Sequence, residues 1–296
     1  MSIIAPIPIQ SDAHWHELRR SHIGSSEVAS LFDASPYLTR FELWHRKKGN
    51  IVDTIPDTER MEWGRRLEAA IGQAAAANLG IILEKATGYY QHPMVAGMGA
   101  TPDFMAPDII VACKNVDGLQ YARSWENGEP PMHYLLQLQH QLACTGFRHG
   151  YIAVLIGGNE FKIFPYERHE GAIAKIEHAT TAFWQSIAEN REPAAVAEDY
   201  DVIRQMMNRM EDTEIDLAGD NEFPDLCARA KAASARKSEA EKEEKACKAA
   251  IIQKMNNHAR ARCGGFTVKA TTVSKKEYTV SATSYQQLTI KEEKAA

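Results

Sequence analysis

From residue 81 to residue 191 the sequence switches between strand-like and helix-like texture, and that order restricts the fold more than any other feature. IILEKA, GYYQHP, ATPDFM and DIIVACKNV are short, rich in Ile, Val and Tyr, and bounded by Gly or Pro, which predicts strands. PPMHYLLQLQHQLACTG predicts a helix, with prolines ahead of it and Gly146 behind. GYIAVLIGG and NEFKIFPYE then predict two strands joined through Gly-Gly-Asn as a hairpin, before helical patterning returns over 169–191. Upstream, SDAHWHELRRSHIG, SSEVASLF and LTRFELWHRKKG predict helices, the first ending near Gly24 and the third closed by Gly49. A longer helix, 57–79, would carry Met61, Leu67, Ile71 and Ala75 on one face and end at Gly80. Helix, strands, helix, strands, helix is the order of an α/β core with a mixed central sheet flanked by helices.

Beyond about residue 196 the texture changes. ARAKAASARKSEAEKEEKACKAAIIQKM predicts a long exposed helix with charges of alternating sign, and FTVKATTVSKKEYTVSATSYQQLTI a terminal β-hairpin. The expected division is a core over 1–195 and a C-terminal appendage over 196–296. The composition, 44% hydrophobic and 25% charged over 296 residues, is that of an ordinary globular chain. A net charge of −5 excludes a surface that is basic everywhere, so a nucleic-acid partner would need a local basic groove. Five scattered cysteines with no CxxC pair predict reduced thiols rather than a disulfide framework or zinc site. MSIIAPIPIQ lacks a basic n-region and is broken by prolines, and no run approaches the ~20 apolar residues of a membrane span. The expectation is a cytoplasmic protein with no membrane partner.

Chemistry-bearing residues fall in four places. On the strand 109–114, residues two apart share a face, so positions 112 and 114 would project together. A carboxylate at 112 would bind a divalent metal, and the ammonium of Lys114 could steady an attacking water or developing phosphorane charge. Asp103, at the end of the preceding strand, would complete a site of hard oxygen donors. The plainer alternative makes Asp103 a turn residue and Lys114 a solvated one, while Asp108 in the second Pro-Asp is a turn former. In WGRRLEAAI, Glu68 sits on a helix, where a single Glu is most often solvated. In YLLQLQHQLACTG, Gln137, His140 and Gln141 share one face, either a polar outer face or a polar stripe over a cleft. Trp15, Arg19 and the IGSSE segment with Ser26 suit a phosphate, or form a plain N-cap beside a surface arginine.

Taken jointly, W-x-x-x-R-x-x-x-IGSSEVASLF-x-x-SPY, then G-x-x-x-E, TPD followed by VACK, YLLQLQHQLACTG and the hairpin around IGG resemble the YqaJ-type viral recombinases. These are relatives of phage lambda exonuclease within the PD-(D/E)xK nuclease superfamily, and the resemblance spans about residues 12–190. It implies a restriction-endonuclease-like core and an alkaline exonuclease. Such an enzyme loads on a double-stranded DNA end, digests 5′ to 3′ and leaves a 3′ single strand for a single-strand annealing protein. It implies that Glu68, Asp103 and the residue at 112 hold Mg²⁺, with Mn²⁺ as a substitute, that Lys114 orients the water, and that Gln137 supports the site. Arg19 and Ser26, with Thr101, would form the 5′-phosphate pocket. It also implies a homo-oligomer, for which a toroidal trimer is the family's habit, inside a bacterial host cell.

The departure lies at 112, where the family pattern has Glu-Cys-Lys and this chain has Ala112-Cys113-Lys114. Because the other site residues are intact, the pattern favours a deliberate glutamate-to-alanine change that disables cutting. The alternatives are a non-cutting DNA-end-binding or recombination scaffold protein, and an endonuclease on the same core.

Overall fold

A computed structural model describes residues 5–51, 58–207, 213–274, 288 and 290. The chain divides into two compact units, residues 1–206 and 207–296. Residues 196–206, which composition groups with the charged C-terminal stretch, are part of the first unit. There the buried Asp199 accepts the Val196 N–H at 2.8 Å and the Thr39 hydroxyl.

The first unit opens with β1 (Ile7–Pro8), α1 (Asp12–Arg20), α2 (Arg40–Lys48) and α3 (Glu59–Leu79). Ser11, Thr39 and Thr58 cap the three helices through their hydroxyl oxygens, and Gly49 and Gly80 end the last two in the left-handed region. Two predicted helices come out differently. The first stops at Arg20, before Gly24, because Ile23 leaves the helix to bridge Met98: its N–H donates to Gly97 O and its carbonyl accepts from Gly99 N–H. SSEVASLF folds as a 3₁₀ turn, Val28–Phe32, closed by Asp33 at φ 53°.

Strands β2 (Glu84–Lys85), β3 (Gly88–Gln91), β4 (Gly99–Ala100), β5 (Phe104–Ala106) and β6 (Ile109–Val116) follow. ATPDFM therefore supplies parts of two strands, not one. Pro102 has no N–H to continue a ladder, and the chain changes sheet there. Next come α4 (Gly118–Ser124), α5 (Met132–Thr145), β7 (His149–Ile156), β8 (Glu160–Glu167), α6 (Glu170–Ala188) and α7 (Tyr200–Met207). The five-stranded sheet has the order β2-β5-β6-β7-β8, parallel only between β6 and β7, so the expected mixed sheet is observed; β1, β3 and β4 form a smaller one.

Alternation along β6 sorts its side chains between two apolar layers. Ile110, Ala112 and Val116 join Leu138 and Leu142 of α5, whereas Ile109, Val111 and Cys113 join Ile71 and Ala75 of α3 and Phe104 of β5. A one-residue slip of this strand would exchange the two sets, so burial on both faces fixes the register. Gly72 shows how close α3 lies to the sheet: a Cβ there would meet the Phe104 ring at 2.4 Å. Gly72→Ala is therefore expected to destabilise by about 1–3 kcal/mol in urea unfolding, although alanine is the better helix former. Equal or greater stability would show that Phe104 yields freely.

In the second unit, α8 (Glu222–Met255) is exposed along nearly its whole length and carries i,i+4 ion pairs such as Lys248–Glu244. A hairpin follows, β9 (Arg260–Cys263) with β10 (Phe266–Lys269), turning through Gly264 and Gly265 at positive φ. It begins earlier than the predicted one; most of the later predicted strand lies outside the described residues. Among the described residues no helix is long and apolar enough to cross a membrane.

Candidate active site

Lys114 lies on the α5 side of β6, between Ala112 and Val116. Its Nζ donates to Gln137 Oε1 at 3.0 Å and sits 5.1 Å from the centre of the Tyr134 ring, both partners coming from one turn of α5. Burial and the Lys114 charge push the neighbouring His133 down to about 4, so that ring is neutral at physiological pH. Asp103, in the short link between β4 and β5, accepts the Cys113 N–H through Oδ2 at 2.7 Å. Burial pushes its carboxyl above the ordinary value; Glu68 adds to this by repulsion, while Lys114, the Cys113 N–H and Lys85 pull the other way. Glu68 projects from α3 and pairs with Lys85 at 3.1 Å. The two carboxylates predicted to share an ion are thus electrostatic neighbours.

A cavity of about 170 Å³ is lined by Trp15, Arg19, Ser26, Thr101, Asp103 and Gln137 among others. Five of the eight predicted site residues therefore share one wall, and Lys114 is hydrogen-bonded to that wall through Gln137. Glu68 stands outside the lining. Ala112 is 1% exposed and enclosed with Leu138, Leu142, Ile152 and Val154, so its methyl is a core group. Among the described residues no three His, Cys, Asp or Glu side chains converge as metal donors.

At the far end of the cavity the geometry suits an anion. Arg19 stacks on Trp15, its guanidinium carbon 4.7 Å from the ring centre, and Nη2 donates to Ser26 Oγ at 3.2 Å. Trp15 in turn donates from Nε1 to Thr101 Oγ1 at 3.2 Å, tying α1 to the residue before Pro102. The polar stripe on α5 splits: Gln137 faces the cavity, but His140 and Gln141 are fully buried, and His140 Nε2 lies 3.0 Å from Gly99 O. Neither alternative for this stripe, a polar outer face or a polar wall over a cleft, holds at His140 and Gln141, because α5 is covered there by the Val28–Phe32 turn and α6 as well as by the sheet. Asp108 is indeed a turn former. At φ 63° it accepts both the backbone N–H and Nε–H of Arg148, fixing the start of β7.

Two residues at this end carry no role in the sequence reading. Glu27 accepts the Gly24 N–H at 2.8 Å, pairs with Arg19 at 3.0 Å, and takes both its carboxylate oxygens to Lys47 Nζ at 3.0 and 2.8 Å. A glutamate three residues after a turn-starting glycine is a reach-back signal of the capping-box type. Lys47 gave no signal within the basic run HRKKG, since only packing distinguishes it from Lys48. Burial alone would raise the Glu27 carboxyl, but Arg19, Lys47 and the Gly24 N–H hold it below the usual glutamate range. A depressed native value means stability that is present above the unfolded-state value and lost as pH falls through the native one. The stability gap between this chain and Glu27→Gln should accordingly be full at neutral pH and close on acidification below the ordinary glutamate range, as followed by urea titrations. A gap that stays constant with pH would contradict the ion-pair account.

Residues 14–148 match the YqaJ-like viral recombinase domain. The chain is 30% identical over 186 residues to the uncharacterized protein YqaJ of Bacillus subtilis (strain 168); the match covers 62% of this chain and 58% of that protein, so the chain spans little more than half of this relative. Among solved structures, an alkaline exonuclease (LHK-Exo) from Laribacter hongkongensis superposes with a TM-score of 0.53 at 22% identity, covering 60% of this chain and 93% of that one. The same protein in complex with dAMP gives 0.53 at 23% identity, with the same coverage. At these identities the likeness is one of fold: a mixed sheet flanked by helices, of the restriction-endonuclease-like kind.

Proposed function

We propose, from the premise that residues 14–148 form a YqaJ-like viral recombinase domain, that this protein belongs to the double-stranded DNA exonucleases that digest 5′ to 3′. The product would be a 3′ single-stranded tail for recombination by strand annealing. In this chain cleavage is impaired by Ala112. The observation that carries the reading is the convergence of Arg19, Ser26, Thr101, Asp103 and Gln137 on one cavity, with Lys114 held by Gln137.

Arg19 and Ser26, with Thr101 behind Trp15, would seat the 5′-terminal phosphate, because guanidinium and hydroxyl groups both offer donors to phosphate oxygens. With the phosphate seated there, the scissile bond would lie toward Asp103 and Lys114. Asp103 supports a metal partner: its carboxyl is half-buried on the cavity wall, crowded by the charge of Glu68, and has one oxygen engaged by the backbone, which suits a hard divalent cation such as Mg²⁺. Glu68 and Asp103 would hold the ion, and a carboxylate at 112 would be the third donor. When bound there, the cation would supply Lewis-acid stabilisation of phosphodiester charge. Lys114, fixed by Gln137 and Tyr134, would orient the attacking water and meet the charge that develops on the phosphorus oxygens.

A second reading, a DNA-end-binding scaffold that never cuts, is favoured by the fully enclosed Ala112 methyl. The two separate on a 5′-phosphorylated linear duplex with Mg²⁺: the exonuclease reading requires the Ala112→Glu variant to digest it and to leave closed circular DNA intact. Nicking of circles would point instead to an endonuclease, and no digestion of either substrate by a folded variant to the scaffold.

A further inference from the structure

Arg19 is the one guanidinium on the cavity wall, yet its position is set from behind. Nη2 is taken by Glu27 and Ser26, and Trp15 covers one face of the plane. Among the described residues no protein group bonds Nε or Nη1, so those two donors, one on either side of the anchored Nη2, are left for a ligand. The carboxylate behind the guanidinium is held in turn by Lys47, whose side chain is 1% exposed and does not line the cavity. The Lys47 ammonium also donates to Arg19 O at 2.8 Å, in the last turn of α1, where a carbonyl has no partner within the helix. Glu27 and Lys47 thus fix both the side chain and the main chain of Arg19. The three groups together leave one net positive charge, and the one on Arg19 is the one that faces outward.

A buried ion pair seldom stabilises a fold more than apolar side chains of the same size would. This pair lies directly behind the single guanidinium of an anion-suited cavity. We infer that Glu27 and Lys47 are positioning residues which hold Arg19 in the orientation that selects a 5′-terminal phosphate over a 5′-hydroxyl. This rests on the phosphate-seating role proposed above for Arg19. Lys47 contributes without ligand contact, by orienting Glu27 and by pinning the end of α1.

The test uses the full chain with Mg²⁺ and a duplex closed by a hairpin at one end and bearing either a 5′-phosphate or a 5′-hydroxyl at the other, with binding read by fluorescence anisotropy. Because Glu27→Gln alone sets a neutral amide against the Lys47 ammonium and can cost stability for that reason, the informative variant is Glu27→Gln/Lys47→Met, which removes the pair while keeping its volume. A cooperative melt confirms that it is folded. The preference for the phosphorylated end should fall by about tenfold, the scale of one charge-assisted hydrogen bond, with affinity for the hydroxyl end unchanged. Arg19→Ala should abolish the preference altogether. If Arg19→Ala abolishes it and the double variant keeps it in full, the pocket stands and the positioning role is overturned. An equal loss for both ends makes the pair merely structural and also overturns it. If Arg19→Ala leaves the preference intact, the phosphate pocket itself fails, and the inference with it.

Discussion

On a 5′-phosphorylated linear duplex with Mg²⁺, Ala112→Glu is expected to raise the cleavage rate by about 10³-fold or more. The basis is that one charged ligand in a water-poor site can be worth several kcal/mol of transition-state stabilisation. The structure attaches a cost to this gain. The methyl of Ala112 is enclosed by Leu138, Leu142, Ile152 and Val154, and a glutamate there is longer by a carboxymethyl group and carries a charge. Without metal, the variant should melt several degrees lower than this chain, since a buried carboxylate lacking a partner is expensive. Mg²⁺ should return most of that loss to the variant and much less to the parent. Activity and metal-linked stability are independent readouts, so a variant that gains neither argues that position 112 is core alone.

The second large effect is expected at Asp103, and it runs in opposite directions for function and stability. In the Ala112→Glu background, Asp103→Asn should lower cleavage by about 10³-fold, because an amide oxygen is a poor substitute for an anionic donor. The same change should leave the metal-free protein as stable or more so. The amide oxygen can still accept the Cys113 N–H, while the partly desolvated charge and its repulsion with Glu68 are gone. Thermal melts in a chelating buffer and initial rates in Mg²⁺ test both halves. A destabilised Asp103→Asn would mean that Asp103 is retained for the fold.

The parts of this architecture legible in the sequence are those dictated by local period and punctuation. Gly49, Gly80 and Gly146 end the helices where they were expected to, and Gly-Gly-Asn turns β7 into β8. What local patterning could not supply was which neighbour a segment would choose. α1 ends early because Ile23 is claimed by Met98, and ATPDFM is divided because its halves pair in different sheets. The same holds for the candidate site. Arg19, Ser26, Asp103, Lys114 and Gln137 could be named from motif order, yet Lys47 is indistinguishable from Lys48 until the fold buries one beneath Arg19. His140 and Gln141 have the spacing of a polar face, but their depth is set by what α5 packs against on its other sides. Ala112 is the reverse case: a departure visible in the sequence, whose enclosure among leucines only the fold discloses.

The position of a bound cation separates a nuclease site from a core position at 112 most directly. Crystals of the Ala112→Glu variant soaked in Mn²⁺ and measured at the manganese absorption edge would locate it by anomalous scattering. The prediction is a peak within ligand distance of Asp103 and the introduced carboxylate, on the side of β6 reached by Lys114, with Glu68 as a further oxygen donor. A peak bound elsewhere, or none in crystals of a folded variant, would contradict it.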